Sequence, residues 1–234
     1  ETVVNISAFL LILPVLLFSA FLTSLWQKIL TKFYQQFAEV NGYLFTKVEA
    51  KISEEGALFI EGSDKLKTNI IKGIFKEHSI ELFNYQFTTG SGKNKSTHHY
   101  TVFEIDYNRQ IPKMFLRSDK YSWSMYKPSF SNGRRLTLEG DFDKHFDLFV
   151  EEKFEIEALQ IFTPDIMHKL MTDWSKFTLE FTSDKIFIYT TRTIYKQKDL
   201  QSMYGLAKYL IDKLAPTLSQ MESSVIAMQE KFKV

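Results

Sequence analysis

An uncharged apolar stretch at the N-terminal end constrains this chain more than any other feature. No charged side chain occurs between Glu1 and Lys28. A bilayer core about 30 Å thick needs about 20 apolar residues in a helix, and the stretch exceeds that length. Trp26 ends it, and Lys28 and Lys32 follow, as is typical of a membrane–water interface. We therefore predict a transmembrane helix over residues 1–27. Its predicted membrane-contacting residues are Phe9, Leu13, Leu16, Phe21 and Trp26.

Two other interpretations of this stretch stay open. A cleaved signal peptide would begin with a basic region, whereas only Glu1 precedes the apolar run, and Phe18-Ser19-Ala20 is the candidate cleavage site. A buried core helix would account for about 10 to 14 apolar residues, fewer than are found here. Pro14 lies in the middle of the stretch, where it removes one backbone hydrogen bond and predicts a kink.

The basic residues predict the orientation. Lys28, Lys32, Lys47 and Lys51 follow the span and none precedes it in this chain, so the positive-inside tendency places the remaining residues in the cytoplasm. The chain contains no cysteine, which excludes a disulfide framework and a zinc–thiolate site. Both observations agree with a reducing compartment.

The overall charge excludes a general attraction to nucleic acid. The chain has 29 Lys+Arg and 28 Asp+Glu residues, for a formal net charge of +1. Such a balance creates no extended field, so we expect no nucleic-acid partner. The sequence has no nucleophile elbow, zincin helix, dinucleotide fingerprint or kinase signature, and we predict no cofactor and assign no catalytic residues.

Residues 28–42 predict a juxtamembrane helix. Ile29, Phe33, Phe37 and Val40 recur at helical spacing with polar residues between them. We expect the membrane helix to continue here and to dock this face on the domain, and the alternative is an amphipathic helix in the headgroup layer. Asn41 and Gly42 can supply the C-cap.

Residues 43–215 predict an α+β domain with antiparallel sheet in both halves. Alternating residues over 80–87 and 100–105 predict a hairpin with a polar tip at 90–96, and 177–181 and 186–189 predict a second hairpin. We expect a strand around Leu58 and Ile60, an edge strand over 114–116 and an irregular segment over 118–134.

Two helices complete the predicted domain. Thr163, Pro164 and Asp165 form a strong helix start, with Thr163 as the N-cap. The buried stripe of this helix is predicted to be Ile166, Met167, Leu170, Met171 and Trp174. A long C-terminal helix begins near Asp199 and carries apolar residues at alternating spacings of four and three.

Pro216 divides the C-terminal helix and defines a predicted helical tail over residues 216–234. Because Pro216 disfavours a continuous helix, the apolar seam beyond it packs either on its own domain or on a partner. The predicted interaction residues are Leu218, Met221, Val225 and Met228. A second copy of this chain or another membrane protein is the expected partner.

Three local patterns invite a catalytic or metal-binding interpretation, and each fails. Residues 90–93 resemble a phosphate loop but lack the helix that must follow it. His98 and His99 are adjacent on a predicted strand and therefore point to opposite faces. An acidic cluster lacks the glycine and the terminal glutamate of a calcium loop. The cluster consists of Asp141, Asp143 and Asp147.

Two segments of the chain, residues 138–149 and 155–167, resemble a known protein family. The Asp141-Phe142 pair followed by Phe146, and the Thr163-Pro164 pair followed by Met167, are similar to the core of a family of uncharacterised bacterial membrane proteins with a domain of unknown function. The resemblance implies an N-terminal span, a soluble α+β domain and a location in the bacterial plasma (inner) membrane. It brings no catalytic residues, and it implies a helical LemA-like membrane protein as a possible partner.

The sequence therefore predicts an α+β protein with an N-terminal transmembrane helix, an antiparallel sheet domain with packed helices, and a long C-terminal helix. We expect a membrane-anchored, non-catalytic scaffold, adaptor or subunit of a membrane protein assembly, with the lipid bilayer as one partner. The competing hypothesis is a membrane-tethered hydrolase or ligand-sensing domain whose site is not visible as a motif.

Overall fold

The structure, a computed structural model, describes residues 2–49, 55–118 and 133–231. These residues form one nine-stranded sheet, in which every adjacent pair of strands is antiparallel, with helices packed against it. The strand order is β1-β2-β3-β4-β9-β8-β5-β7-β6. The predicted α+β class, with a long apolar N-terminal helix and a long C-terminal helix, is confirmed.

The elements follow one another along the chain with short connections. The helices are α1 (Thr2–Asn41), α2 (Ala57–Ile60), α3 (Glu155–Ile161), α4 (Pro164–Asp173) and α5 (Gln197–Lys231). The strands are β1 (Leu44–Glu49), β2 (Ser63–Phe75), β3 (His78–Thr89), β4 (Ser96–Asp106), β5 (Met114–Ser118), β6 (Arg134–Leu136), β7 (Phe146–Val150), β8 (Thr178–Phe181) and β9 (Lys185–Thr190).

Both predicted hairpins are present, as β3–β4 and β8–β9. Three details differ from the predictions. Leu58 and Ile60 lie in α2 and not in a strand, and β5 is an interior strand between β8 and β7, not an edge. Strand β2 was not predicted at all. Most of the segment predicted to be irregular, residues 119–132, lies outside the described residues.

The two faces of the sheet carry different cores. The larger cluster combines one face of the sheet with buried residues from α1, α3, α4 and α5. The smaller cluster on the opposite face is mainly aromatic, and α2 contributes Leu58 and Phe59 to it. The Phe59 ring lies 5.0 Å from the Tyr85 ring and 5.3 Å from the Phe187 ring.

Helix α1 is continuous through Pro14 and ends in a Schellman motif. Gly42 has a φ of +70°, a conformation that glycine adopts without steric cost. The Tyr43 N–H donates to the Ala38 carbonyl at 2.9 Å, and the Gly42 N–H donates to the Glu39 carbonyl at 3.2 Å. These bonds satisfy carbonyls that the helix end would otherwise leave unpaired.

The domain-facing side of α1 is rotated from the predicted side. Leu30, Tyr34 and Ala38 are buried in the larger core, whereas Ile29 and Val40, predicted to dock, are exposed. The predicted residues Phe33 and Phe37 pack only at the edge of this core. The two stripes are about 100° apart on the helix, the angle of one residue step.

Helix α4 begins where the sequence predicts, with Thr163 as N-cap and Pro164 in the first turn. Ile166, Leu170 and Trp174 are buried, as predicted. The Thr163 side chain makes no capping hydrogen bond, so the side-chain cap expected from the sequence is absent.

Helix α5 is assigned as one helix from Gln197 to Lys231, with Pro216 inside it. Its apolar series continues past Pro216 into the larger core. Leu218, Met221 and Val225 are buried there, so the seam packs on its own domain, one of the two alternatives that the sequence left open. The side chain of Met228 lies outside what the structure describes. The role of these residues in binding a partner stays a prediction.

Candidate functional site

The apolar segment of α1, residues 13–29, is not buried by the domain and touches it near Trp26. Residues 13–29 are exposed along their whole length, and Leu30 is the first buried residue. Among the described residues, α1 is the one helix whose length and composition would allow it to cross a membrane. Of the predicted membrane-contacting residues, Leu13, Leu16, Phe21 and Trp26 are 45%, 59%, 58% and 47% exposed. Phe9 belongs to the same helix, but its side chain is outside the description.

A buried polar network fixes the other end of α1 to the domain. The Tyr34 hydroxyl donates to the Ile194 carbonyl at 2.9 Å and lies 3.2 Å from the Thr101 hydroxyl. Thr101 donates to the Asn84 side-chain oxygen at 2.8 Å and accepts from the Ile194 N–H at 2.9 Å. Burial raises the pKa of Tyr34 above its ordinary value, so the phenol stays neutral and keeps its proton for donation.

Two aromatic contacts reinforce this attachment. Near the apolar segment, the Trp26 ring meets the Tyr195 ring edge to face at 5.6 Å. Just past the C-terminal end of α1, the Tyr43 hydroxyl lies 2.6 Å from the Tyr204 hydroxyl of α5. Gly73 on β2 allows the Tyr43 ring to lie there, because a Cβ atom at position 73 would be 2.2 Å from that ring. Helix α1 is therefore held at both ends of its docked half.

An open groove of about 690 Å³ lies between α1 and the β1–β2 edge of the sheet. We call it the α1 groove. It starts at Ser24, where the apolar stretch ends, and runs along α1 to Glu39. Lys47 and Val48 of β1 and Thr68 and Asn69 of β2 complete its lining.

A smaller cavity of about 200 Å³ lies beside the Trp26–Tyr195 contact. The connection between β9 and α5 forms much of it and brings Arg192 and Lys196 to its rim. Lys176 also lines this cavity and is paired with Asp199. The basic groups at this end of the domain therefore lie close to the apolar segment of α1.

On the opposite face of the sheet, a buried carboxyl fixes α2. Glu180 accepts hydrogen bonds from the Ala57 N–H at 2.8 Å and from the Tyr189 hydroxyl. Desolvation raises the pKa of Glu180, and the two hydrogen bonds oppose this change only in part. Because both of its oxygens bind structural groups, this carboxyl has a structural role.

A second buried carboxyl is paired with a lysine. Burial raises the pKa of Glu104, and the Lys185 ammonium, 2.6 Å away, opposes the change. The neighbouring strand pairs Glu81 with the fully buried Lys67 at 2.7 Å. These pairs neutralise charge across the sheet, which lowers the cost of burying the carboxylates.

The first two patterns rejected from the sequence lie on the β3–β4 hairpin. Residues 90–93 lie in the tip of the β3–β4 hairpin. His98 is buried beside Thr89, with 2.8 Å between its Nε2 atom and the hydroxyl, whereas His99 is exposed.

Each member of the acidic cluster has a partner of its own. Asp141 pairs with Lys144, Asp143 accepts from the Leu138 N–H, and Asp147 pairs with Arg117 and Arg135. Within the described ranges, no three His, Asp or Glu side chains converge as a metal site would require.

Sequence reasoning missed Tyr34, Asn69 and Glu180. The sequence does contain a signal for Tyr34. Leu30, Tyr34 and Ala38 recur every four residues and form a stripe that competes with the predicted one. Asn69 and Glu180 carried no local signal, because their burial depends on strands and helices distant in the sequence.

The fold and this site together define a class: an α+β domain whose core includes the continuation of an apolar N-terminal helix. A search of solved structures finds the crystal structure of the mycobacterial trehalose monomycolate transport factor A, TtfA, as a similar fold. The TM-score is 0.59 at 11% sequence identity, and the match covers 79% of this chain and 94% of that chain. At this identity, the likeness concerns the fold alone.

Neither the protein-family models nor the curated proteins match this sequence. The resemblance drawn from residues 138–149 and 155–167 therefore stays a prediction.

Proposed function

We propose that this protein is a membrane-anchored, non-catalytic accessory subunit of a membrane assembly that transports lipid. The observation that carries the proposal is the division of α1 at Leu30. Residues 13–29 expose apolar side chains on all sides, whereas Leu30, Tyr34 and Ala38 belong to the core of the domain. A soluble monomer rarely exposes so large an apolar surface, and a bilayer would cover it.

The site chemistry supports an accessory role. The buried carboxyls of Glu104 and Glu180 are each bound to structural partners. A polar groove lies along α1, close to the apolar segment, where a subunit would contact lipid or a neighbouring membrane protein. The similar fold is that of a trehalose monomycolate transport factor. We extend to this chain a role in lipid transport, and we do not extend the identity of the lipid.

We place the span in a bacterial plasma membrane with the sheet domain in the cytoplasm. Lys28, Lys32 and Lys47 follow the apolar stretch, and the positive-inside tendency favours this orientation. The C-terminal end of α5 is at the opposite end of the chain from the apolar segment of α1, so an affinity tag can be attached there.

The test is co-purification from the membranes of the host organism, with the tag after α5 and a mild detergent. We expect a multi-pass membrane transport protein to co-purify with the native chain and to be lost with Leu16→Arg, because an arginine at a span centre costs about 2.5–3.5 kcal/mol on insertion scales. Depletion of the chain should also slow the appearance of newly made lipid in the outer leaflet. Recovery of soluble proteins alone, together with unchanged lipid movement, would reject the proposed role.

A further inference from the structure

The α1 groove is positively charged and rich in hydrogen-bonding groups. Its cations are Lys28, Lys32 and Lys47, and all three are exposed. Its one carboxylate, Glu39, accepts a hydrogen bond from Gln35 at 2.9 Å. A site with three ammonium groups and several amide and hydroxyl groups is suited to an anion that also carries hydroxyl groups.

Asn69 provides an independent sign of a ligand. This residue lines the groove, is only 2% exposed, and its side-chain oxygen Oδ1 has no hydrogen-bond partner among the described residues. Leaving such an acceptor unpaired costs about 1–3 kcal/mol. A hydroxyl group that enters the groove and donates to Oδ1 would remove this penalty.

The backbone at Asn69 also departs from regular strand geometry. Its φ is +51°, and the pairing of β2 with β3 shifts register between Thr68 and Ile71. Thr68 and Asn69 both line the groove, whereas neighbours on a regular strand face opposite sides, so the bulge is what brings Asn69 to the groove. Asparagine tolerates this left-handed conformation better than most residues.

The groove continues one face of the apolar segment. Leu13, Leu17, Ser24 and Thr31 recur at spacings of four or seven residues and so lie on one side of α1. Leu13 and Leu17 are exposed, and Ser24 and Thr31 line the groove. A molecule that follows this side of the helix passes directly from apolar to polar surface.

The length of the α1 groove suits a lipid that contacts both the apolar and the polar surface of α1. From Ser24 to Glu39 the groove rises about 22 Å along the helix, at about 1.5 Å per residue. The headgroup layer is about 5–8 Å thick on each side of a bilayer. The groove therefore covers the whole headgroup layer and extends beyond it.

We propose that the α1 groove binds the headgroup of an anionic membrane lipid that carries hydroxyl groups, while its acyl chains stay against the apolar segment of α1. This inference rests on the proposed function in one respect, the insertion of α1 into the bilayer. Lys32 and Lys47 bind the anionic group, and Asn69 accepts from a hydroxyl. The groove is thereby the subsite through which the domain recognises its lipid.

The experiment uses the full chain in nanodiscs that contain equal amounts of phosphatidylglycerol and phosphatidylcholine, with the co-purified lipids counted by native mass spectrometry. Phosphatidylglycerol is the probe because it combines a phosphate with free hydroxyls. We expect the native chain to retain phosphatidylglycerol preferentially. Lys32→Gln and Lys47→Gln should each weaken retention about fivefold, the effect of one basic residue near an anionic surface.

Asn69→Gly removes the buried acceptor and keeps a residue suited to positive φ, so it should weaken retention about three- to tenfold without unfolding the domain. Lys213→Gln removes one positive charge, as each lysine variant does, from an exposed position on α5, and it should leave retention unchanged. Melting curves in the same nanodiscs verify that every variant is folded.

Each alternative gives a distinct result. Failure of the chain to enter nanodiscs would reject the membrane span and hence the proposed function. Insertion with equal retention of both lipids would leave the span intact and overturn the lipid site. If Arg192→Gln plus Lys196→Gln weakened phosphatidylglycerol retention as much as the Lys32 and Lys47 variants do, the site would lie at the smaller cavity. That result would overturn the assignment to the α1 groove. Displacement by millimolar inorganic phosphate would show a soluble anion to be the ligand and would overturn it as well.

Discussion

The Tyr34 hydroxyl and the Ile194 carbonyl oxygen are 2.9 Å apart in the buried core, although 160 residues separate them in the sequence. This bond joins α1 to the connection between β9 and α5. Since Trp26 contacts Tyr195 in the same connection, the domain is attached to α1 within one or two turns of the apolar segment. A tilt of that segment is consequently transmitted to the sheet.

Tyr34→Phe removes the hydroxyl and leaves the Ile194 carbonyl buried without its donor. We expect a loss of about 1–3 kcal/mol in the free energy of unfolding, seen as a melting midpoint lower by several degrees. Tyr195→Phe is the control, because Tyr195 is exposed. Equal midpoints for the two variants would contradict the role of the network.

Gly73→Ala tests the packing of Tyr43. A Cβ atom at position 73 would lie 2.2 Å from the Tyr43 ring, so the ring and its contact with Tyr204 must move. We expect clear destabilisation in thermal unfolding. Gly205→Ala, inside α5 with nothing within 4 Å of the added atom, should instead stabilise by about 0.5–1 kcal/mol. The two alanines should therefore have opposite signs, and two stabilising substitutions would refute the packing described.

Leu218→Ala tests whether the seam beyond Pro216 belongs to the domain core. Leu218 is 1% exposed, and its truncation should cost about 2–5 kcal/mol. Ile226→Ala, on the same helix, removes a partly exposed side chain and should have a much smaller effect. If Leu218→Ala left stability unchanged but lowered oligomeric mass in light scattering, the partner-binding interpretation of the seam would be restored.

Glu180→Gln tests the buried carboxyl through its pH dependence. Because the pKa of Glu180 is raised in the folded state, the folded protein holds a proton that the unfolded chain releases above pH of about 4.5. The contribution of this group to stability is complete below that pH and declines as pH rises through the folded pKa. The melting midpoint of Glu180→Gln relative to the native chain should therefore rise between pH 4.5 and 7.5. A constant difference would mean that the pKa is not raised.

Local alternation and turn residues made the β3–β4 and β8–β9 hairpins predictable. Strand β2 escaped prediction because buried positions in it hold Lys67 and Asn69, which read as surface residues. Lys67 is buried because Glu81 pairs with it at 2.7 Å and the Phe83 ring lies beneath its ammonium at 4.0 Å. Both partners are on another strand.

For a similar reason, the sequence could not predict which face of α1 docks on the domain or what covers the apolar seam of α5. Two apolar stripes at helical spacing compete on α1. Thr101 and Ile194, which bind Tyr34 and are distant in the sequence, decide which stripe faces the domain. On α5, one apolar seam serves equally for packing on its own domain and for binding another chain. The α1 groove depends on the bulge at Asn69 and had no signature in the sequence.

The most direct test of the account is cysteine labelling in whole cells, since the chain has no cysteine of its own. One variant carries Leu16→Cys in the apolar segment and another carries Lys213→Cys on the exposed side of α5. With a membrane-impermeant maleimide, we predict that position 213 reacts only after lysis and that position 16 stays unreactive until detergent dissolves the membrane. Reaction of position 16 in lysed cells without detergent, or its loss from the mature chain by cleavage, would contradict the membrane span on which the proposed function depends.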